Sequence, residues 1–142
     1  MTEPLHIREF ATGAKRDTEA NKLDYEGFIS PEVLRAFAIY MDFNRHMPDG
    51  TRRDSDDWQK GVPLDVYMKS GTRHFLDWWL AHRDYPVSEG RVWALLGLMF
   101  NVMGYIHEFM KQHPSALALA VSAAHGRRVD DLRWKKPEEP DA

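Results

Sequence analysis

The sequence predicts an all-α protein, a small helical bundle preceded by an extended N-terminal arm. Three observations lead there. Apolar residues recur at helical spacing in three long segments, those segments are bounded by capping and breaking residues, and no stretch reads convincingly as a strand.

Residues 1–29 show little periodicity and many polar side chains, so they read as the arm. Its distinctive parts are Gly13-Ala14-Lys15-Arg16-Asp17 and Lys22-Leu23-Asp24-Tyr25. The first helix starts at Ser30-Pro31-Glu32. Ser30 can accept a hydrogen bond from the first turn, Pro31 loses nothing at the first helical position, and Glu32 suits the positive end. It is expected to reach about His46, with Leu34, Phe37, Ala38 and Met41 as its apolar stripe.

Pro48-Asp49-Gly50 is turn chemistry, and the loop it opens continues through Gly61. A loop that long is functional or disordered, and Trp58 argues for order. The second helix runs from near Pro63 to about His82, with Val66, Tyr67, Phe75, Trp78 and Trp79 apolar, until Asp84-Tyr85-Pro86 breaks it. Ser88 is expected to cap a third helix from Glu89 to about Gln112, ended by His113-Pro114.

This third helix is apolar almost all round, so neighbours must cover it on several sides. Gly97 and Gly104 lie seven residues apart on one face, where another helix can approach closely, and self-association as a homodimer is expected. A short Ala-rich helix from Ser115 to about His125 follows, stopped by Gly126. Residues 30–126 then form the helical domain. Residues 127–142 form a polar tail, Pro- and Glu-rich from Lys135, whose composition predicts disorder.

At 142 residues the chain is long enough for one domain with a core of its own. A formal charge of -3 supplies no field for binding a nucleic-acid polymer. Having no cysteine excludes disulfides, thiolate zinc sites and cysteine nucleophiles, and fits a reducing cytoplasm. Residues 1–13 are too polar for a signal peptide. The apolar run from Val92 to Met110 approaches membrane-spanning length. Gly97, Asn101, Gly104 and His107-Glu108 interrupt it and no basic flank anchors it, so it reads as a core or interface helix with no membrane partner.

The residues with chemistry to offer concentrate between Arg53 and Trp79. In the second helix Lys69, Arg73 and Asp77 are spaced four apart and share a face, with His74 beside them. One reading gives Lys69 and Arg73 to phosphate oxygens, with His74 and Asp77 near a metal or an attacking water. The other is a solvated ladder of ion pairs. Asp54, Asp56 and Asp57 can offer oxygen to a hard cation or simply face solvent. Trp58 is a stacking platform or a core plug, and Lys60-Gly61 can present an ammonium and a backbone N–H to phosphate.

Asp42 and His46 are four apart, spaced either to ligate a metal together or to answer the dipole at a helix end. Asn101 interrupts an apolar surface with Glu108 two turns on, so its partner is another helix or a ligand. Glu89 and Arg91 are a weaker pair. The phosphate-cradling Gly-x4-Gly-Lys-Ser/Thr spacing, the Glu-x-x-Glu…Glu-x-x-Asp signature of MazG-type pyrophosphatases, the His-Asp dipeptide of HD phosphohydrolases and His-Glu-x-x-His are all missing.

The segments Gly13-Ala14-Lys15-Arg16-Asp17, Lys22-Leu23-Asp24-Tyr25, Asp57-Trp58-Gln59-Lys60-Gly61 and Arg73-His74, then the apolar Trp93-to-Asn101 helix, occur in an order that resembles the N-terminal-domain family of phage dATP/dGTP diphosphohydrolases, of the MazZ type. The resemblance covers about residues 12–112. Members often have Asn-Trp where this chain has Asp57-Trp58. It implies cleavage of a purine deoxynucleoside triphosphate between its α and β phosphates, in the host cytoplasm, with Mg²⁺ or Mn²⁺ as cofactor. On that activity, residue type and position suggest Asp57, Asp77 and Glu108 as metal ligands and His74, Asp77 and Arg73 as the catalytic group. Lys22, Trp58, Lys60, Lys69 and Asn101 would hold the nucleotide, and the arm would fold over it. A second expectation, from the missing carboxylate quartet, is a protein that sequesters a nucleotide, such as a host signalling nucleotide, without cleaving it.

Overall fold

The long helices fall where the apolar periodicity puts them. The structure, a computed structural model, describes residues 7–17, 22–116 and 118. Among these the order is β1 (Ile7–Glu9), β2 (Lys15–Asp17), α1 (Tyr25–Phe28), α2 (Pro31–Phe43), a 3₁₀ turn at Asp57–Lys60, α3 (Leu64–His82) and α4 (Arg91–Gln112). The protein is mostly helical, as its patterning predicts. The chain splits into two units, Met1–Asp24 with Ala118–Ala142, and Tyr25–Leu117.

In the first unit the expected strand-free arm is corrected to a small antiparallel hairpin, with Ile7 opposite Asp17 and Glu9 opposite Lys15. Gly13 makes the turn at φ 83, a left-handed conformation that glycine adopts without strain. The Phe10 N–H donates to the Ala14 carbonyl at 2.9 Å and the Gly13 N–H to the Phe10 carbonyl at 2.8 Å. Strands of three residues that bury almost nothing carry no alternation for a sequence to display. Lys22 pairs with Asp17 at 2.9 Å within this unit.

In the second unit α2 opens as expected, Ser30 Oγ accepting from the Val33 N–H at 3.3 Å. It stops at Phe43, short of His46. Asn44 turns its carboxamide back to the Tyr40 carbonyl at 2.8 Å, and such local side-chain bonding competes with continuing the helix. The beginning of α4 is also corrected. Ser88 makes no cap, and the chain enters at Gly90, φ 76, with no side-chain cap bond. Arg91 ties this end to α3 by donating to the Ala81 carbonyl at 2.6 Å.

The helices α3 and α4 make the most extensive pairing and run antiparallel. Tyr67 packs against Gly104, Asn101 against Gly71, and His74 against Gly97, so each glycine receives a side chain from the opposite helix. The face carrying Gly97 and Gly104 is therefore occupied by α3 of the same chain, and any contact with another copy must use a different face. Trp93 docks α2 onto α4 through edge contacts to Tyr40, with centroids 4.9 Å apart, and to Phe43 at 5.4 Å.

Among the described residues the buried set is small: Tyr40, Tyr67, Ala81, Ala94 and Leu96, the glycines Gly71, Gly97 and Gly104, and the polar Asn101. By length and composition alone α4 could cross a membrane. The expected helix from Ser115 and the tail from residue 127 lie outside the described residues, apart from Ser115, Ala116 and Ala118. The Ala116 N–H donates to the His113 carbonyl at 2.9 Å.

Candidate functional site

Setting α2 beside the α3/α4 pair, with residues 53–58 crossing between them, leaves a cleft of about 780 Å³. Four of the expected site residues line it: Asp57 and Trp58 from the loop, His74 from α3 and Asn101 from α4. The long loop is ordered by its own chemistry. Asp49 accepts from the Thr51 N–H at 3.0 Å and from its hydroxyl at 2.6 Å, and these bonds hold the Asp49 carboxyl below its ordinary range. Trp58 then plugs onto α4, edge-on to His107 at 4.9 Å and to Phe100 at 6.1 Å. It is half-buried, so it serves as a plug and a wall at once.

His74 lies at the back of the cleft. Its ring covers Gly97, where a Cβ would stand 2.6 Å from Cε1 and 2.7 Å from either nitrogen. Its Nδ1 is buried without a hydrogen-bond partner, and the Glu89 carboxylate stands 3.6 Å away. Sequence reasoning set Glu89 beside Arg91; instead Arg91 turns to the end of α3 and to Asp84 at 3.8 Å, leaving Glu89 to face His74.

Asn101 donates from Nδ2 to the Gly97 carbonyl at 2.8 Å, one turn back on its own helix. Among the described residues its Oδ1 has no hydrogen-bond donor. Burial raises the Tyr40 and Tyr67 hydroxyls above their ordinary pKa, with Glu89 adding to the first and Glu108 to the second. Both tyrosines line the cleft as neutral donors.

The cations of the cleft are Arg45, which sequence reasoning missed, and Arg53, which heads the informative stretch but was given no role of its own. Arg45 donates from Nε to the Arg53 carbonyl at 2.7 Å, and Arg53 donates to the Asn44 carbonyl. Backbone oxygens thus fix both guanidinium planes at the rim. Asp42, read as a possible metal partner of His46, is taken by Arg45 at 3.2 Å and Arg52 at 2.8 Å. The only advance signal was the density of arginines around the Pro48-Asp49-Gly50 turn.

The other expected residues lie elsewhere. Lys69, Arg73 and Asp77 do not line the cleft, and among the described residues none of them forms an ion pair, so the ladder is not built there. Lys60 binds Asp57 at 2.8 Å, which lowers the Asp57 pKa and raises that of Lys60. Glu108 is largely buried beneath Lys111, at 3.1 Å, which also donates to the Gln59 carbonyl at 3.2 Å. It latches the 3₁₀ turn to α4 instead of entering the cleft.

Among the described residues no three His, Asp or Glu side chains stand together. Asp57, Asp77 and Glu108 therefore do not form one ligand set. Comparison with protein-family models, with curated proteins and with solved structures finds no match to this chain.

Proposed function

We propose that the cleft binds a purine deoxynucleoside triphosphate and that the protein cleaves it between the α and β phosphates, releasing the monophosphate and pyrophosphate. The observation that carries this reading is His74, its Nδ1 buried beside Glu89, facing a cleft that also holds two fixed guanidiniums, an aromatic wall and an amide oxygen unpaired among the described residues. Arg45 and Arg53 would neutralise the phosphates, and charge-assisted bonds from a fixed guanidinium suit that task. Trp58 would stack on the base and Asn101 would accept from its edge or from the sugar.

Water would attack the α-phosphorus, forming a P–O bond as the bond to the bridging oxygen breaks. His74 would take the water's proton, with Nδ1 turned to Glu89 and Nε2 left for the water. Glu89 would stabilise the imidazolium that forms, the role a carboxylate plays beside a general-base histidine. The family resemblance also implies a divalent cation. The proposed Asp57, Asp77 and Glu108 set does not fit one, so no step is assigned to it.

The second reading, a protein that sequesters a nucleotide intact, is favoured by that same dispersal of carboxylates. Incubation with dATP or dGTP, with Mg²⁺ or Mn²⁺, separates the two. Release of dAMP or dGMP with pyrophosphate supports turnover. Tight binding with the triphosphate recovered whole supports sequestration, and no binding of any nucleotide removes both.

A further inference from the structure

Asn101 is only 5% exposed, yet it lines the cleft with half of its carboxamide unused. Its Nδ2 is committed to the Gly97 carbonyl at 2.8 Å, so Oδ1, which can only accept, is what remains for a ligand. Among the described residues no donor reaches that oxygen. The groove of about 350 Å³ on the other side of Asn101 is almost wholly apolar, so the cleft is the side from which a polar ligand reaches it. A buried acceptor without a partner calls for an explanation.

We propose that Asn101 Oδ1 accepts a hydrogen bond from the 3′-hydroxyl of the nucleotide and so makes the cleft selective for a sugar that carries one. This inference rests on the nucleotide reading of the cleft and says which part of the nucleotide lies at its middle.

The contacts that pair α3 with α4 form three levels. His74 lies on Gly97, Asn101 meets Gly71, and Tyr67 lies on Gly104. From His74 to Gly71 is three residues of α3, and from Gly71 to Tyr67 is four. At 1.5 Å of rise per residue the levels are about 4.5 and 6 Å apart. The first level holds the proton acceptor, with Glu89 at 3.6 Å from His74. The third holds the aromatic wall, where Phe100 contacts Trp58 at 6.1 Å and Tyr67 at 5.9 Å between ring centroids. A nucleotide with its α-phosphorus at His74 and its base against Trp58 lays its sugar across the middle level, beside Asn101.

Chemistry narrows the partner further. Ionised phosphate oxygens accept and bring no proton, so they cannot satisfy Oδ1. A base has N–H donors, but the base lies one level further along. A 2′-deoxyribose linked to base and phosphate keeps a single free hydroxyl, at C3′, and a hydroxyl can donate.

Two ligands that differ in that hydroxyl test this on the wild-type chain. Titration calorimetry would compare dGTP with 2′,3′-dideoxyGTP, each as its uncleavable α,β-methylene analogue. The dideoxy compound should bind about 10- to 100-fold more weakly, because it shuts Oδ1 away from water without offering a donor. Asn101→Leu, of similar size but with no acceptor, should bind the two ligands within about two-fold of each other. Equal binding of both ligands by the wild-type chain overturns the proposal and leaves the nucleotide reading standing. Binding of neither overturns both. A preference for the 3′-hydroxyl that persists in a folded Asn101→Leu chain gives the hydroxyl to another residue and also overturns the proposal.

Discussion

His74 lies flat on Gly97, its imidazole filling the space where any other residue would carry a side chain. The candidate catalytic group is thus also a packing element between α3 and α4, and its position is set by the absence of one methyl group. Substituting Gly97→Ala puts a carbon 2.6 Å from the ring, so the ring or a helix must move. Overpacking of this kind costs about 1–3 kcal/mol. Thermal unfolding should show a lowered Tm, and His74 displaced from Glu89 should cost activity beyond the loss of stability.

Gly104→Ala should be the more damaging of the two. The rigid Tyr67 ring presses on it, with the hydroxyl oxygen 2.8 Å from the position a Cβ would take and the ring carbons nearer still. A buried aromatic ring has fewer ways to yield than an imidazole that faces an open cleft. The two Tm values, compared side by side, check the order; a smaller loss at Gly104 would contradict it.

Arg53→Ala, and separately Arg45→Ala, should weaken nucleotide binding, while Arg73→Ala and Lys69→Ala should leave it almost unchanged. Charge-assisted hydrogen bonds are worth roughly 1.5–3 kcal/mol, or about 10- to 100-fold in affinity. Titration calorimetry with dGTP reads the difference directly. Equal losses at Arg73 and Arg53 would move the phosphates out of the cleft and onto the outer face of α3.

That contrast shows what the sequence discloses and what it hides. The extents of α3 and α4 and the cap of Ser30 were legible because each rests on a local rule. Trp58, His74 and Asn101 were legible as residues whose chemistry interrupts their surroundings. Face assignment was not. Arg73 and His74 are adjacent in the chain, yet one residue is roughly 100° of helix rotation, enough to put His74 in the cleft and Arg73 outside it. The four-residue spacing of Lys69, Arg73 and Asp77 says that they share a face and nothing about where that face looks. Arg45 and Arg53 were hidden because tertiary contacts, backbone carbonyls at the end of α2 and in the loop, position them. Gly90 replaced Ser88 at the start of α4 for a similar reason: Arg91 reaching the end of α3 fixes where the chain can enter.

Stability should fall as the solution turns alkaline. Burial raises the Tyr40 and Tyr67 hydroxyls above the ordinary value of 10.0. An unfolded tyrosine ionises near that value, whereas the folded one still holds its proton. Between the two values the folded chain binds more protons, so stability declines with rising pH there and is fully present below. Denaturant midpoints measured from pH 8 upward should stay level and then drop beyond about pH 10. Tyr67→Phe should flatten that drop, and an unchanged slope would remove Tyr67 from the account.

His74→Gln should abolish most turnover while leaving nucleotide affinity within a few-fold. Losing a general base costs about 10²–10⁴ in rate. Glu89→Gln should lower kcat in the same direction but less, because the imidazole remains. A variant that loses affinity as much as rate would make His74 a binding residue, which is the pattern the sequestering reading expects.

Trp58 separates wall from plug. Its edge contacts to Phe100 and His107 hold the loop on α4, and it also lines the cleft. Trp58→Ala removes both roles, and for a half-buried ring the stability cost should be about 1–3 kcal/mol, below that of a fully buried aromatic. Trp58→Phe keeps an aromatic face of smaller area and should retain most of the stability. If the ring stacks on a base, Trp58→Phe should bind dGTP nearly as well as the parent, and Trp58→Leu, apolar but without a π face, should bind it roughly 5- to 100-fold more weakly at comparable Tm, since stacking is worth about 1–3 kcal/mol per base. Equal binding by the Phe and Leu variants would reduce Trp58 to the plug that holds the loop.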